Sequence, residues 1–361
     1  MSFKKRVHLW HDGINYSWKD VPDKKYINWS KMAIPFLNTS DFTVSEYPYM
    51  LQIEPTNMCN LSCPLCPVSE NRLERKPRNM SLKEFMSIID DMEDYLLFLI
   101  LWEWGEPLVN PKLPAMIKYA SERGIKTVTS TNAHFLNKKP YVEELLRSGL
   151  STLIVAIDSL DEESYKVYRS GGDLNKAISG LINLCELKKQ LGSNTRINLR
   201  MVIMKQNERE LPAMRDFAKK IRVDTFSVKT LNPSCGLDSM DQELLPGNPK
   251  YRRYDYKKGT STRIRLNTYC SRVWKTSNIF SNGDVVPCGY DYNCEMKVGN
   301  VFEEPFGKIW NSPAYKELRK KIYYQKDSFP KCKECTINYK LSKGGWFPEV
   351  QNFNVGIKQR I

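Results

Sequence analysis

The sequence predicts an α/β protein, a partial (β/α)6 barrel of the TIM-like kind followed by a small α+β domain. Three observations predict it. Between about residues 50 and 231 apolar runs alternate with stretches of helical periodicity, the pattern of repeated β-α units around a parallel sheet. Six strands can be counted there, two fewer than a closed eight-stranded barrel needs. Beyond residue 262 the alternation gives way to a hairpin signal and paired cysteines.

The strands are expected at 50–54, 97–102, 126–130, 152–157, 197–203 and 225–230, with helices between them. Ser81-Leu82-Lys83-Glu84 is a capping box, and Phe85, Ile88, Ile89 and Met92 then mark one helical face. A second helix begins around Pro111 and Pro114 and stops at Gly124. A third runs from about Leu174 to Leu191, with Leu174, Ile178, Leu181, Leu184 and Cys185 on one side, which makes Cys185 a core residue. Residues 1–49 lack long periodicity and read as an N-terminal extension packed on the barrel. The barrel is expected over 50–235, a linker rich in turn residues over 236–262, the small domain over 263–345 and a tail over 346–361. In the small domain Asn282-Gly283 stands between Ile279-Phe280 and Val285-Val286, a hairpin turn.

Functional loops in such barrels follow the C-terminal ends of strands. After the first strand comes Cys59-Asn60-Leu61-Ser62-Cys63-Pro64-Leu65-Cys66, three thiols spaced C-x3-C-x2-C. Three ligands leave one iron of a four-iron cluster open to chemistry, and a zinc site would want a fourth nearby Cys or His. The chain has ten cysteines. Four more, Cys270, Cys288, Cys332 and Cys335, form a second set in the small domain; taken alone it also admits a zinc ribbon. Cys294, near that set, could replace one of its ligands or be a bystander.

Composition limits the remaining classes. Hydrophobic residues make up 41% of 361, enough for a sizeable core. No long apolar run and no signal-peptide core follow the basic start Met1-Ser2-Phe3-Lys4-Lys5-Arg6, so a cytoplasmic protein without membrane attachment is expected. Seven of the ten cysteines fall into two ligand-like sets, which argues for a reducing interior over disulfides. The net charge of +14 is scattered and interleaved with acids, without a basic stripe, which argues against nucleic acid and leaves room for an anionic substrate or an acidic electron donor.

The C-x3-C-x2-C segment resembles the signature of the radical S-adenosylmethionine (SAM) superfamily, and the resemblance extends over nearly the whole chain. It implies a [4Fe-4S] cluster on Cys59, Cys63 and Cys66 whose open iron binds SAM and whose electron cleaves it to a 5′-deoxyadenosyl radical. Trp104-Gly105-Glu106-Pro107 resembles the family's G-G-E-P segment, with Trp104 at the usual first Gly, and implies that Gly105, Glu106 and Pro107 receive the methionine ammonium. Ser130-Thr131-Asn132 resembles the segment contacting ribose and carboxylate, with Ala133 where Gly is usual; Ser130 and Asn132 carry over. Ala156-Ile157-Asp158-Ser159 resembles S-I-D-G and contributes Asp158. Arg169 could pair with the methionine carboxylate, the alternative being a surface ion pair. Leu65 holds a place where the family often has an aromatic against adenine.

The second cysteine set resembles the SPASM and Twitch domains of many such enzymes. A full SPASM domain has seven cysteines and two clusters; four at Twitch-like spacing imply one auxiliary [4Fe-4S] cluster, fully ligated and suited to electron transfer. The resemblance thus implies SAM, two [4Fe-4S] clusters and a flavodoxin or ferredoxin as donor. The expected activity is dehydrogenation or epimerisation of a small polar substrate, sugar-like or cyclitol-like. Epimerisation needs a hydrogen-atom donor, for which Cys235, in the loop after the sixth strand, is the candidate; a buried structural thiol is the alternative. Maturation of a ribosomally made peptide is the second reading, disfavoured by only 49 residues before the first strand. A non-catalytic iron-sulfur or zinc protein binding RNA is the third, and it leaves the G-E-P and S-T-N segments unexplained.

Overall fold

The computed structural model describes residues 10–11, 14–15, 21–33, 39–69, 72–232, 243–260, 262–266 and 268–353. A two-stranded pair, β1 (Trp10–His11) and β2 (Ile14–Asn15), precedes helix α1 (Asp23–Ala33). Six parallel strands follow in chain order, β3 (Met50–Ile53), β4 (Phe98–Ile100), β5 (Lys126–Thr131), β6 (Thr152–Ala156), β7 (Arg196–Ile203) and β8 (Thr225–Thr230). All six begin and end within two residues of the positions read from the sequence. Helices α2 (Leu82–Met92), α3 (Leu113–Glu122), α4 (Lys139–Arg147), α5 (Glu162–Tyr168), α6 (Leu174–Leu191) and α7 (Leu211–Lys220) make the crossovers.

The capping box of α2 is formed in both directions. Ser81 Oγ accepts from Glu84 N at 3.2 Å, and the Glu84 carboxylate accepts from Ser81 N at 2.7 Å. Strand alternation then sorts side chains into two layers. Leu51, Ile53, Leu99, Leu153, Val155, Leu199, Met201, Phe226 and Val228 face the helices in the main core. Phe98, Ile100, Val128 and Ile154 face the lumen instead, where Val21 and Trp29 of the N-terminal extension cover them.

Helix α1 was not legible as a helix because its buried face is half polar. Lys25, Asn28, Trp29 and Met32 are buried at helical spacing, but only two of the four are apolar. Lys25 Nζ donates to Arg123 O at 3.1 Å, and burial lowers its pKa. Asn28 exchanges two hydrogen bonds with the Tyr47 backbone, at 2.8 and 2.9 Å.

The sheet does not stop at six strands. In the small domain β9 (Asn278–Ile279) runs parallel to β3, and β10 (Asp284–Val286) and β11 (Gly299–Asn300) continue it antiparallel. On the opposite edge β12 (Glu349–Asn352) lies antiparallel to β8. The small domain and the C-terminal stretch therefore cover both open edges of the partial barrel, so its backbone groups are paired instead of left to water. The expected hairpin is the β9-β10 turn, where Gly283 has a φ of 85°. Among the described residues no helix is long and apolar enough to cross a membrane.

Candidate active site

The loop after β3 is fixed at its root by a buried ion pair. Glu54 is fully buried and binds Arg75 through two parallel hydrogen bonds of 2.7 and 2.8 Å. Glu54 also accepts from Ser281 N and Oγ, at 3.1 and 2.9 Å, while Arg75 Nε donates to Tyr292 O at 2.7 Å. The cysteine loop and the small domain thus share one anchor.

Cys66 N donates to Cys63 O at 3.0 Å, and Leu61 N reaches Cys59 Sγ at 3.5 Å. Burial pushes the Cys59 thiol up to about 12, and Glu106, Cys63 and Cys66 add to this. Burial also raises Cys63, although the Arg169 guanidinium beside it pulls the other way. Thiols held neutral by burial must lose their protons to ligate a metal, so loading the site is proton-coupled. Three thiols within electrostatic reach on one loop fit a cluster with an open iron.

Gly105, after β4, packs against that loop with a φ of 113°, and a Cβ there would come within 2.6 Å of Thr56 O and 2.9 Å of Met58 O. Only glycine is compatible with so close an approach. Glu106 N donates to Met58 O at 2.8 Å. The buried Glu106 carboxylate accepts from Leu108 N at 3.1 Å and Asn132 N at 2.7 Å; burial raises its pKa to about 7 against these bonds. Glu106 therefore braces the ends of β4 and β5, with lone pairs still available to an ammonium. Pro107 opens the buried turn that follows.

At the end of β5, Asn132 Nδ2 donates to Asn60 Oδ1 at 2.9 Å, joining this strand to the cysteine loop. Ser130 stands on the same strand face as the lumen residue Val128. Ala133, at the family's glycine position, has a φ of 75°, where a side chain is strained. His134 supports this turn and was not singled out from the sequence. Asp173 N donates to His134 Nε2 at 2.8 Å, which leaves Nδ1 to donate to Asn132 O at 3.1 Å. Burial lowers its pKa, in keeping with a neutral ring. A single histidine, one of three in the chain, gives no signal without its contacts.

Asp158 is almost wholly buried and accepts from Arg169 Nε at 2.6 Å and Val202 N at 2.7 Å. The Arg169 ion pair is thus interior, not on the surface, and its guanidinium lies beside Cys63. Leu65 packs with Met204, Leu231 and Leu244. Cys185 is partly buried against the main core. Cys235 lies outside the described residues.

The four later cysteines converge. Cys270, Cys288, Cys332 and Cys335 line one cavity of about 170 Å³, with Arg272, Lys326 and Lys331 also in its wall. Burial raises Cys288 to about 12 and pushes Cys332 and Cys335 upward, each thiol also opposing its neighbours' ionisation. The thiols surround a volume, as a multi-iron cluster requires, and the cations suit the negative charge of a thiolate-ligated cluster. Cys294 stands apart, beside Asp284 with a φ of 65°.

Trp104 joins the two sites. Its Nε1 donates to Gly289 O at 2.8 Å, one residue after Cys288, and its ring meets Tyr292 edge-on at 5.8 Å. A glycine at this position could make neither contact.

A family model of the radical SAM superfamily matches residues 53–218, and one of an iron-sulfur cluster-binding domain matches residues 270–336. The chain is 30% identical over 293 residues to an Fe-coproporphyrin III synthase of Methanosarcina barkeri, covering 71% of each protein. It is 24% identical to a tungsten-containing aldehyde ferredoxin oxidoreductase cofactor-modifying protein of Pyrococcus furiosus, over 80% of this chain and 87% of that one. The crystal structure of Streptococcus suis SuiB bound to S-adenosylmethionine superposes with a TM-score of 0.55 at 22% identity, over 76% of this chain and 68% of that one. That likeness speaks to the fold.

Proposed function

This chain belongs to the radical SAM superfamily and carries a SPASM-type iron-sulfur domain, and from that premise we propose that it dehydrogenates a small, polar, anionic substrate at a carbon bearing a hydroxyl or amine. The observation that carries the reading is the four-cysteine cavity tied through Trp104 to the Gly105-Glu106-Pro107 turn. When bound, SAM and the cluster on Cys59, Cys63 and Cys66 supply a 5′-deoxyadenosyl radical that removes a hydrogen atom. In this reading Gly105, Glu106, Pro107, Ser130, Asn132, Asp158 and Arg169 orient SAM. Cys270, Cys288, Cys332 and Cys335 hold a second cluster with no open position, whose use is electron transfer.

The lumen favours an anionic substrate. Leu199, Met201, Phe226 and Val228 face the helices, so by alternation Arg200 and Lys229 face inward on β7 and β8. Arg200 Nε is steadied by Ser227 Oγ at 3.1 Å, and its guanidinium lies 5.0 Å from the Phe347 ring centre. Two inward cations above an apolar base favour a substrate carrying phosphate or carboxylate.

The test is an anaerobic incubation of reconstituted protein with dithionite and SAM in deuterated water, against sugar phosphates, nucleotide sugars and cyclitol phosphates. The expected result is 5′-deoxyadenosine together with loss of two hydrogens from one compound. Deuterium gained at a substrate carbon, and lost in Cys235→Ala, would instead establish epimerisation. A second reading, an anionic tetrapyrrole as substrate, is favoured by the relative named as an Fe-coproporphyrin III synthase, so porphyrin carboxylates belong on the same panel. A mass change confined to them would replace the first reading.

A further inference from the structure

Glu103 has no part in the arrangement so far, yet it stands between the two sites. It follows β4 by three residues, at the strand ends that also carry the cysteine loop and Gly105. Asn278 Nδ2 of β9 donates to Glu103 Oε2. Because Ile279 belongs to the core layer, Asn278 faces the lumen, as does its sheet partner Gln52, which holds Trp102 O at 2.8 Å. The carboxyl group lies directly against Gly289. A Cβ on Gly289 would be 2.0 Å from Glu103 Oε1 and 2.2 Å from Cδ, so any other residue there would displace it.

Four charged groups surround Glu103. Lys229 reaches it electrostatically from β8, Arg272 from the wall of the four-cysteine cavity, and Glu54 and Arg75 from the anchor of the cysteine loop. Burial opposes its ionised form, the three cations favour it and Glu54 opposes it; the balance lies at about 8. The side chain is only partly buried. It combines a desolvated carboxylate with partial exposure, and Asn278 Oδ1 beside it is buried without a partner. A carboxyl group with this affinity for protons is matched to proton transfer near neutral pH.

We propose that Glu103 is the general base of this site, accepting the proton of the hydroxyl or amine on the carbon that has lost its hydrogen atom. The assignment rests on the oxidative reading above. In the step itself a substrate O–H or N–H bond breaks, an O–H bond forms on the Glu103 carboxylate, and no electron moves.

Two measurements test it. The first needs no substrate: pH-difference infrared spectra of the reconstituted protein should contain a carboxylic C=O band with a midpoint near 8 that Glu103→Gln removes. A Glu103 band titrating in the ordinary carboxylate range overturns the proposal. The second uses whichever panel compound the wild type oxidises. Product should fall about 100-fold in Glu103→Gln, the 5′-deoxyadenosine formed per product should rise at least about tenfold, and Glu103→Asp should recover part of the loss. Iron content measured on each variant separates these effects from loss of a cluster. Wild-type coupling in Glu103→Gln overturns the base. A wild type that oxidises nothing on the panel sinks the substrate reading alone, and the infrared midpoint then decides Glu103.

Discussion

The three-cysteine loop and the four-cysteine cavity place the same ligand chemistry in opposite structural settings. In the first, Cys59, Cys63 and Cys66 sit on one short loop, and the strand ends around it contribute braces: Glu106, Asn132, and the Asp158-Arg169 pair. In the second, the thiols come from three separated segments, before β9, after β10 and around the short helix α8 (Pro330–Lys333), where Asn338 Nδ2 ties Cys332 O at 2.8 Å. A local ligand set can be preorganised by its own backbone, whereas a dispersed one exists only once the domain has folded. The difference teaches that a local thiol set can be preorganised on strand ends, while a dispersed one can double as the staple of a small domain.

The comparison predicts an asymmetry in loss of ligands, and this is the largest effect. Cys63→Ala should abolish SAM cleavage, at least about a thousandfold, while roughly half the iron remains, since the second site does not depend on the first. Cys335→Ala should also lose about half the iron but retain 5′-deoxyadenosine formation without substrate, and its small domain should become protease-sensitive. Iron analysis, electron paramagnetic resonance and limited proteolysis read this out. Equal loss of both clusters in either variant breaks the comparison.

A smaller effect is expected at the shared anchor. Arg75→Met leaves Glu54 buried without its partner, which should cost about 3–5 kcal/mol and lower the thermal midpoint of the whole chain. Because Glu54 also holds Ser281 at the β9-β10 turn, barrel and small domain should lose stability together in a calorimetric scan. Separate transitions would mean that the anchor serves one region only.

The smallest effect is at the link between the sites. Trp104→Phe removes the hydrogen bond to Gly289 O while leaving an aromatic ring near Tyr292, a loss of about 1 kcal/mol. SAM cleavage should stay within about threefold, and hydrogen exchange at the Cys288 turn should quicken. A larger fall in cleavage would show that Trp104 positions the Gly105-Glu106-Pro107 turn and not the small domain.

Much of this molecule was legible in its residues. The six strands, the Ser81 capping box, the Asn282-Gly283 turn and the three-cysteine segment are local patterns, where the period of apolar positions and the spacing of thiols carry the information. Helix α1 escaped because Lys25 and Asn28 occupy half of its buried face, and their backbone partners, Arg123 and Tyr47, are invisible to a periodicity. Glu103 and His134 escaped for the same reason. A lone Glu or His acquires its role from what surrounds it, and here the surroundings come from β8, β9 and the cavity wall for one, and from the start of α6 for the other.

Sequence by itself determined the run of strands and helices and, through resemblance to a known family, the superfamily and its cofactor set, because β-α alternation and short motifs are properties of neighbouring residues. Only the tertiary structure decided that β9 and β12 cover the two edges of the open barrel. It also decided that Arg169 is an interior partner of Asp158 and that a carboxylate stands between the two cysteine sites. Strand-edge pairing and burial join residues that are distant along the chain, and burial is what raises the proton affinity of Glu103.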